Sequence, residues 1–218
     1  MSIHQALDRA LITEIYVVGP SSTGKTTLCR ALAERLGLEG PEFITEVARE
    51  VMQQERYSRD DIGKLEMQAA IMRAQLLREQ TGRTAAATTG RVLLSDRSAI
   101  DPIVYAILTS ASEEEAEERV QSLTESHQFQ LALAAYRKSL FVLLGPVPEW
   151  LEDDGVRSTE NQVSLVDSFD RIGCHLSSCT QIYCHEVFKG VLAKLKISWT
   201  RNEKFSDEGD GKDEARMP

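Results

Sequence analysis

The sequence predicts an α/β fold of three layers, in which a mainly parallel, five-stranded sheet lies between two layers of helices. Short apolar segments alternate along the chain with longer segments of helical periodicity, an order typical of a parallel sheet covered on both faces. The chain has 218 residues, of which 42% are hydrophobic and 27% are charged. This length and composition fit one domain with a sizeable core.

Five segments are predicted to be strands, because they are short, rich in apolar or β-branched residues and bounded by turn-forming residues. They are Ile15–Gly19, Glu42–Thr45, Arg91–Asp96, Leu140–Leu144 and Lys196–Thr200. Six further segments are predicted to be helices from the spacing of their apolar residues. They are Thr26–Leu36, Val47–Glu55, Asp60–Gln80, Ala99–Leu108, Glu113–Tyr136 and Val163–Lys194. Ser58 or Asp60 is the predicted cap of the third helix.

The regions between and after these elements differ in composition. Thr81–Gly90 is small and polar, which indicates a connection, and the stretch around residues 148–162 is acidic and turn-rich. Residues 201–218 have almost no apolar side chains and are predicted to be a disordered acidic tail. Residues 1–200 form the predicted domain.

The junction of the first strand and the first helix carries the strongest motif. It matches G-x-x-x-x-G-K-S/T in full, and its residues, with the one that follows, are Gly19, Pro20, Ser21, Ser22, Thr23, Gly24, Lys25, Thr26 and Thr27. Glycines let the backbone N–H groups curl around an anion, and the helix N-terminus adds the positive end of its dipole. We expect this P-loop to bind the phosphates of ATP, with GTP as a second candidate. Lys25 would contact the β- and γ-phosphates and Thr26 would bind Mg²⁺.

Asp96 ends the third predicted strand, which is apolar from Val92 to Leu94. An apolar strand that ends in an acid is the Walker B arrangement, in which the carboxylate holds magnesium directly or through water. The alternative is that Asp96 caps the helix that follows. Together with the P-loop, the motif favours the magnesium role and the P-loop NTPase fold.

Three more groups of residues follow the second and third strands or lie on the helix between them. They are Glu46-Val-Ala-Arg49, then Gln68 with Arg73-Ala-Gln75, and Asp96-Arg97-Ser98 with Asp101 and Tyr105. This combination resembles the NadR/Ttd14-type AAA domain family, which includes the nicotinamide riboside kinase domain of bacterial NadR. It is more distantly similar to deoxynucleoside kinases. The resemblance spans roughly Ile15 to Leu176.

The resemblance implies roles on the substrate side. Glu46 would be the candidate general base, while Arg49, Arg97 and Asp101 would contact the substrate. Gln68 would bind the base or a nicotinamide-like ring, and Arg157 would close a lid over the transferring phosphoryl group. Catalytic roles therefore fall to Lys25, Glu46, Asp96, Arg97 and Arg157.

Each of these roles has a plainer alternative. Glu46 and Arg49 have the spacing of an i,i+3 surface pair, which is worth only ~0.3 kcal/mol. Gln68 has the residue type of a solvated helix position, and Arg157 would neutralise the neighbouring Asp153 and Asp154. The third-strand acid is Asp96 where the better-known kinases have Glu, and one arginine stands where kinase lids commonly have two.

Composition narrows the partners. The net charge of −9 argues against a nucleic-acid partner, which requires a basic surface. No apolar run reaches the roughly 20 residues of a transmembrane helix. The first residues lack the basic segment of a signal peptide, and the four cysteines then indicate reduced thiols. We therefore expect a cytoplasmic protein whose partner is a small molecule.

The leading hypothesis from the sequence is an ATP-dependent kinase that transfers a phosphoryl group to a hydroxyl of a nucleoside-like substrate, with Mg²⁺. The alternative is a GTP- or ATP-binding regulatory protein of the Ttd14 type, which binds phosphoinositide or a protein partner. A guanine-reading N/T-K-x-D motif would favour the alternative, and the sequence contains none. The identity of the acceptor and the oligomeric state are left open.

Overall fold

The computed structural model describes residues 13–146 and 176–201. The five strands in this part of the chain are β1 Glu14–Val18, β2 Phe43–Ile44, β3 Leu93–Asp96, β4 Leu140–Leu143 and β5 Trp199–Arg201. The seven α-helices described are α1 Lys25–Leu36, α2 Val47–Glu55, α3 Leu65–Thr89, α4 Ile100–Leu108, α5 Glu113–Thr124, α6 His127–Tyr136 and α7 Leu176–Lys194. Two short 3₁₀ helices cover Gly40–Glu42 and Arg59–Asp61.

The five strands form one parallel sheet in the order β2-β3-β1-β4-β5. β1 lies at the centre, where Val17 is paired with Asp96 of β3 on one side and with Val142 of β4 on the other. All strands therefore point their carboxyl ends at one edge of the sheet, which is where ligands bind in open α/β folds. The predicted fold class is confirmed.

Alternating residues of each strand face opposite layers, as the period of two requires. Val17 and Leu94 pack with Cys29 and Ala33 of α1. Tyr16, Val18, Leu93, Phe141 and Leu143 face the opposite way, into a larger core shared with α2, α3, α4, α6 and α7. The sheet therefore has α1 on one face and most of the other described helices on the opposite face.

The third helix is longer than predicted. Thr81–Gly90, predicted to be a connection, is helical as far as Thr89, and α3 ends with Gly90 in a left-handed conformation. Its small residues reflect close packing: a Cβ added to Gly82 would lie 2.6 Å from Leu93 Cδ1 and 2.7 Å from Pro41 O. The polar appearance of this stretch comes from threonine hydroxyls that donate to backbone carbonyls one turn earlier, which keeps them satisfied within the helix.

Two other helix predictions need correction. Glu113–Tyr136 was expected to be one helix but is two, because Ser126 Oγ accepts from the Phe129 N–H at 3.2 Å and starts a new helix there. α3 begins at Leu65, later than the predicted Asp60, since Ser58 caps the short 3₁₀ helix Arg59–Asp61 through a capping box with Asp61. Residues 163–175 of the last predicted helix lie outside the described residues.

Smaller differences occur at the ends of strands. β5 is Trp199–Arg201, displaced from the predicted Lys196–Thr200, because Lys196 has a positive φ of 57° just after α7. Arg201, expected at the start of the tail, is the last residue of this strand. The rest of the predicted tail lies outside the described residues. Within the described ranges, no helix is long and apolar enough to cross a membrane.

Candidate active site

The P-loop lies between the carboxyl end of β1 and the first turn of α1. Gly19 has a φ of 139°, and a Cβ there would lie 2.4 Å from Leu144 O, so the backbone directly after β4 touches the loop where a side chain would stand. Gly24 is left-handed, with a φ of 80°, and directly precedes α1. These two glycines give the turn a shape that other residues reach only with strain.

Lys25 is buried over the same loop. Its Nζ donates to Pro20 O and lies 3.3 Å from Thr23 Oγ1, and Thr23 Oγ1 donates to Pro20 O at 2.9 Å. The ammonium group is therefore held beside the turn whose backbone N–H groups would receive the phosphates. The predicted phosphate-binding residues lie together on one turn, and their roles stay predictions.

Thr26 and Asp96 are joined directly. Thr26 Oγ1 donates to Asp96 Oδ2 at 2.6 Å. Asp96 is buried, and its Oδ1 has no hydrogen-bond partner among the described residues. Buried carboxylate oxygens are normally satisfied. A hydroxyl beside an unsatisfied carboxylate oxygen is a donor set that suits Mg²⁺, so the residues present fit the metal.

The alternative for Asp96, a helix cap, is not observed. Ser98 Oγ instead accepts from the Ile100 N–H at 3.2 Å at the start of α4. Asp101 Oδ2 accepts from the Ser98 N–H at 3.0 Å. The first turn of α4 is therefore satisfied by residues after Asp96.

A cavity of about 310 Å³ opens beside the P-loop. Its wall includes every described residue that the sequence predicted on the substrate side: Glu46, Arg49, Gln68, Arg97 and Asp101. These residues come from the β2–α2 junction, from α3 and from the β3–α4 junction. The parallel sheet brings them together, since those junctions lie at the same edge.

A chain of ion pairs runs along one side of the cavity. Arg97 donates to Glu46 Oε1 at 3.1 Å and to Asp101 Oδ1 at 3.1 Å, and Arg49 donates to Glu46 Oε2 at 3.1 Å. Arg97, Glu46 and Asp101 are largely buried, whereas 53% of the Arg49 side chain is exposed. The i,i+3 pair suggested as the plain alternative is therefore present, but Glu46 faces the cavity as well.

Burial and charge act against each other in this chain of ion pairs. Burial acts to lower the pKa of Arg97, but the carboxylates of Asp101 and Glu46, with Tyr105, outweigh it and the pKa is raised. For the Asp101 carboxyl, burial has the opposite effect and raises the pKa, although the charges of Arg97 and Lys25 oppose the rise. Arg97 therefore stays cationic at every accessible pH.

Gln68 is 3% exposed, so the solvated position suggested as an alternative is wrong. Its Nε2 donates to Ile62 O at 2.8 Å. A donor must face that carbonyl, which fixes the orientation of the amide. Most of the surface of the cavity beside it is apolar, with contributions from Met52, Ile62, Met67, Ile71 and Pro102. Such a surface suits a flat, weakly polar ring.

Some lining residues were not assigned a role from the sequence. Tyr105 is one: its hydroxyl is 3.1 Å from Ser21 Oγ, which ties the P-loop to the cavity wall. It lies four residues after Asp101, and this i,i+4 spacing on a helix is the sequence signal that could have placed both residues on one face. Arg59 also lines the cavity, without a signal in the local sequence. The predicted lid residue Arg157 lies outside the described residues.

The fold and this site define the chain as a P-loop protein of the NTPase class. A family model described as an AAA domain matches residues 14–193, and the chain belongs to that family. No curated protein matches the chain.

Two solved structures show a more specific similarity, to the protein NadR. NadR in complex with NR is 27% identical, with a TM-score of 0.62, and the match covers 92% of this chain and 47% of that one. NadR in complex with NAD and AMP-PNP is 25% identical, with a TM-score of 0.50, and the match covers 86% of this chain and 50% of that one. The chain thus spans about half the length of the NadR chains. The resemblance to NadR is confirmed.

Proposed function

We propose that this protein is a phosphotransferase that uses ATP and Mg²⁺ to phosphorylate a hydroxyl of a small nucleoside-like molecule. The observation that carries the proposal is that the P-loop forms part of the wall of the cavity. Ser21 belongs to the loop, lines the cavity and contacts Tyr105, another residue of the cavity wall. An acceptor in the cavity would therefore lie next to a nucleotide whose phosphates occupy the loop.

Glu46 is the proposed general base. Its two carboxylate oxygens accept from Arg97 and Arg49, but a carboxylate has about four lone-pair sites. Oε1 accepts from both Nε and Nη2 of Arg97, so a substrate hydroxyl would approach Oε2, the oxygen paired with the half-exposed Arg49. Arg97, held on its other side by Asp101, fixes the direction of Glu46. Phosphoryl transfer depends mainly on such positioning and on compensation of charge.

Thr26 and Asp96 are the residues that would hold Mg²⁺, as their direct contact and the unsatisfied Asp96 oxygen suggest. When bound, the metal would offset the charge on the β- and γ-phosphate oxygens. Lys25 would contribute a second positive charge from within the loop. The solved structures of NadR with NR and with AMP-PNP support this assignment of a nucleotide side and an acceptor side.

The first test is nucleotide binding. A nucleotide at 100 times its Kd should stabilise the wild type by roughly 2.7 kcal/mol, and thermal unfolding with Mg·ATP and Mg·GTP measures this. Lys25→Ala should lose the stabilisation, whereas Lys189→Ala, which removes an exposed lysine paired with Glu186 on α7, should keep it. Preference for GTP, or no stabilisation by either nucleotide, would contradict the proposal.

The second test is phosphoryl transfer from ATP to a panel of nucleosides, nicotinamide riboside and vitamins. Glu46→Gln should reduce kcat for the accepted compound by about 10²-fold or more, the usual contribution of a general base. Glu50→Gln is the matched control, because Glu50 lies in α2 about one turn after Glu46 but pairs with Arg78 away from the cavity. Binding of ATP without modification of any acceptor would sink the kinase assignment.

A further inference from the structure

A buried carboxylate lies behind the active site, on the inner face of α3. Glu79 is fully buried, and its two oxygens accept from the Tyr136 hydroxyl at 2.8 and 2.7 Å, from Gln75 Nε2 at 3.1 Å and from Arg83 Nη2 at 3.2 Å. Glu79 does not line the cavity, so the proposed chemistry does not use it directly. Burying a carboxylate is costly unless its partners are well placed.

Two of these partners also contact the turn that carries the active-site residues. Gln75 Nε2 is 3.1 Å from Ser95 Oγ and 3.5 Å from Arg97 O. The Tyr136 hydroxyl accepts from the Ala99 N–H at 3.1 Å. Glu79 is therefore one side chain away from both ends of the segment Ser95–Ala99, which contains Asp96 and Arg97.

This segment has a backbone that its surroundings must impose. Arg97 has a φ of 81°, a sparsely populated conformation for a residue with a side chain. Its own N–H donates to Val17 O at 3.0 Å and so continues the β1–β3 pairing. Beyond that bond, the chain leaving β3 is held by the hydrogen bonds of Gln75 and Tyr136, together with the bond from the Ser98 N–H to Asp101 Oδ2.

We propose that Glu79 is a positioning residue for the active site. It holds Gln75 and Tyr136 so that the Ser95–Ala99 turn presents Asp96 to the P-loop and Arg97 to the cavity. The expected effect on kcat rests on the proposed phosphotransferase function. The consequences for turn stability and for magnesium-dependent nucleotide binding do not require an identified acceptor.

The test compares Glu79→Gln and Tyr136→Phe with a control on the same core. Leu133→Ala is the control, since Leu133 is buried on α6 beside Tyr136 and has only an apolar side chain to lose. ATP affinity is measured with Mg²⁺ and with EDTA. Loss of a partner that orients a metal ligand typically weakens metal affinity about 10–100-fold. We expect the two network variants to lose about tenfold in affinity with Mg²⁺ and to match the wild type in EDTA.

Hydrogen exchange of the peptide that spans residues 93–101 provides a readout without nucleotide. Exchange there should accelerate in Glu79→Gln and Tyr136→Phe and stay near the wild-type rate in Leu133→Ala. If the phosphoryl-transfer assay works, kcat should fall in the network variants with little change in KM. Tyr136→Phe removes one oxygen atom and keeps the ring, so it tests the proposal if Glu79→Gln does not fold.

The outcomes separate the two proposals. Wild-type protein that binds Mg·ATP but phosphorylates nothing defeats the kinase assignment, while the affinity and exchange measurements still decide the role of Glu79. Unchanged magnesium-dependent affinity and unchanged exchange in the network variants would overturn the positioning role. Equal losses in Leu133→Ala at matched stability would also overturn it, because they would show a general effect of core damage.

Discussion

The P-loop is one continuous turn, whereas the cavity beside it takes its side chains from separate stretches of chain. In Gly19–Thr27 the shape comes from backbone conformations and from contacts within the loop, such as Thr23 Oγ1 to Pro20 O. In the cavity the shape comes from ion pairs between Glu46, Arg97 and Asp101, which lie on different elements. The loop is therefore sensitive to backbone changes and the cavity to the loss of single charges.

The largest expected effect is on the loop, from Gly19→Ala. The added methyl group would meet Leu144 O at 2.4 Å, and φ there is 139°, so we expect a loss of about 3 kcal/mol in the free energy of unfolding. Gly37→Ala is the control: it also has a positive φ, of 61°, but no atom within 4 Å of the new Cβ. That variant should lose about 1 kcal/mol, the cost of the left-handed backbone alone. Urea unfolding measures both, and equal losses would show that close contact with the backbone of Leu144 does not shape the loop.

A smaller effect is expected in the cavity, from Asp101→Asn. The substitution removes the carboxylate that accepts from Arg97 and from the Ser98 N–H, so a buried guanidinium loses one of two counter-charges. We expect a loss of about 2 kcal/mol in unfolding free energy, the scale for a buried charge-assisted hydrogen bond. Glu186→Gln breaks an exposed pair with Lys189 and should leave stability almost unchanged, because solvent screens such pairs. If Asp101→Asn lost no more stability than Glu186→Gln, the charges in the cavity would be solvated.

The same comparison explains what the sequence could predict. The P-loop was predicted residue by residue because its chemistry is local: each glycine, Lys25 and Thr26 acts through its own position in one turn. The membership of Glu46, Arg97 and Asp101 in one cavity also followed, since acids and arginines after parallel strands meet at one edge.

What the sequence did not provide were the contacts that depend on packing between distant elements. Gln68 was assigned a substrate role only through the family resemblance, and nothing in its neighbours shows the hydrogen bond to the Ile62 carbonyl. Gly82 looked like part of a connection, because its closeness to Leu93 is a property of the sheet. No pattern in the sequence distinguishes Glu79 on α3, because Tyr136, 57 positions away, completes its site.

The smallest expected effect concerns pH and the carboxylate behind the cavity. Burial raises the pKa of Glu79 to about 7 from its ordinary 4.5, although Arg83 and the hydrogen bonds from Tyr136 and Gln75 oppose the rise, and Glu14 adds to it. Between these two values the folded protein holds a proton that the unfolded chain has released. Stability from this group is therefore fully present below the unfolded pKa and is lost as pH rises through the folded pKa.

Glu79→Gln isolates this contribution, because glutamine does not titrate. The unfolding free energy of the wild type minus that of the variant should fall by about 1 kcal/mol from about pH 6 to about pH 8. Urea unfolding of both proteins across this range measures the difference, and titrations shared by the two chains cancel. A difference that is flat, or that grows with pH, would mean that the charges of Arg83 and its neighbours keep Glu79 ionised throughout. The carboxylate would then be a fixed anion that supports the cavity in the same way as Asp101 does on the other side of the turn.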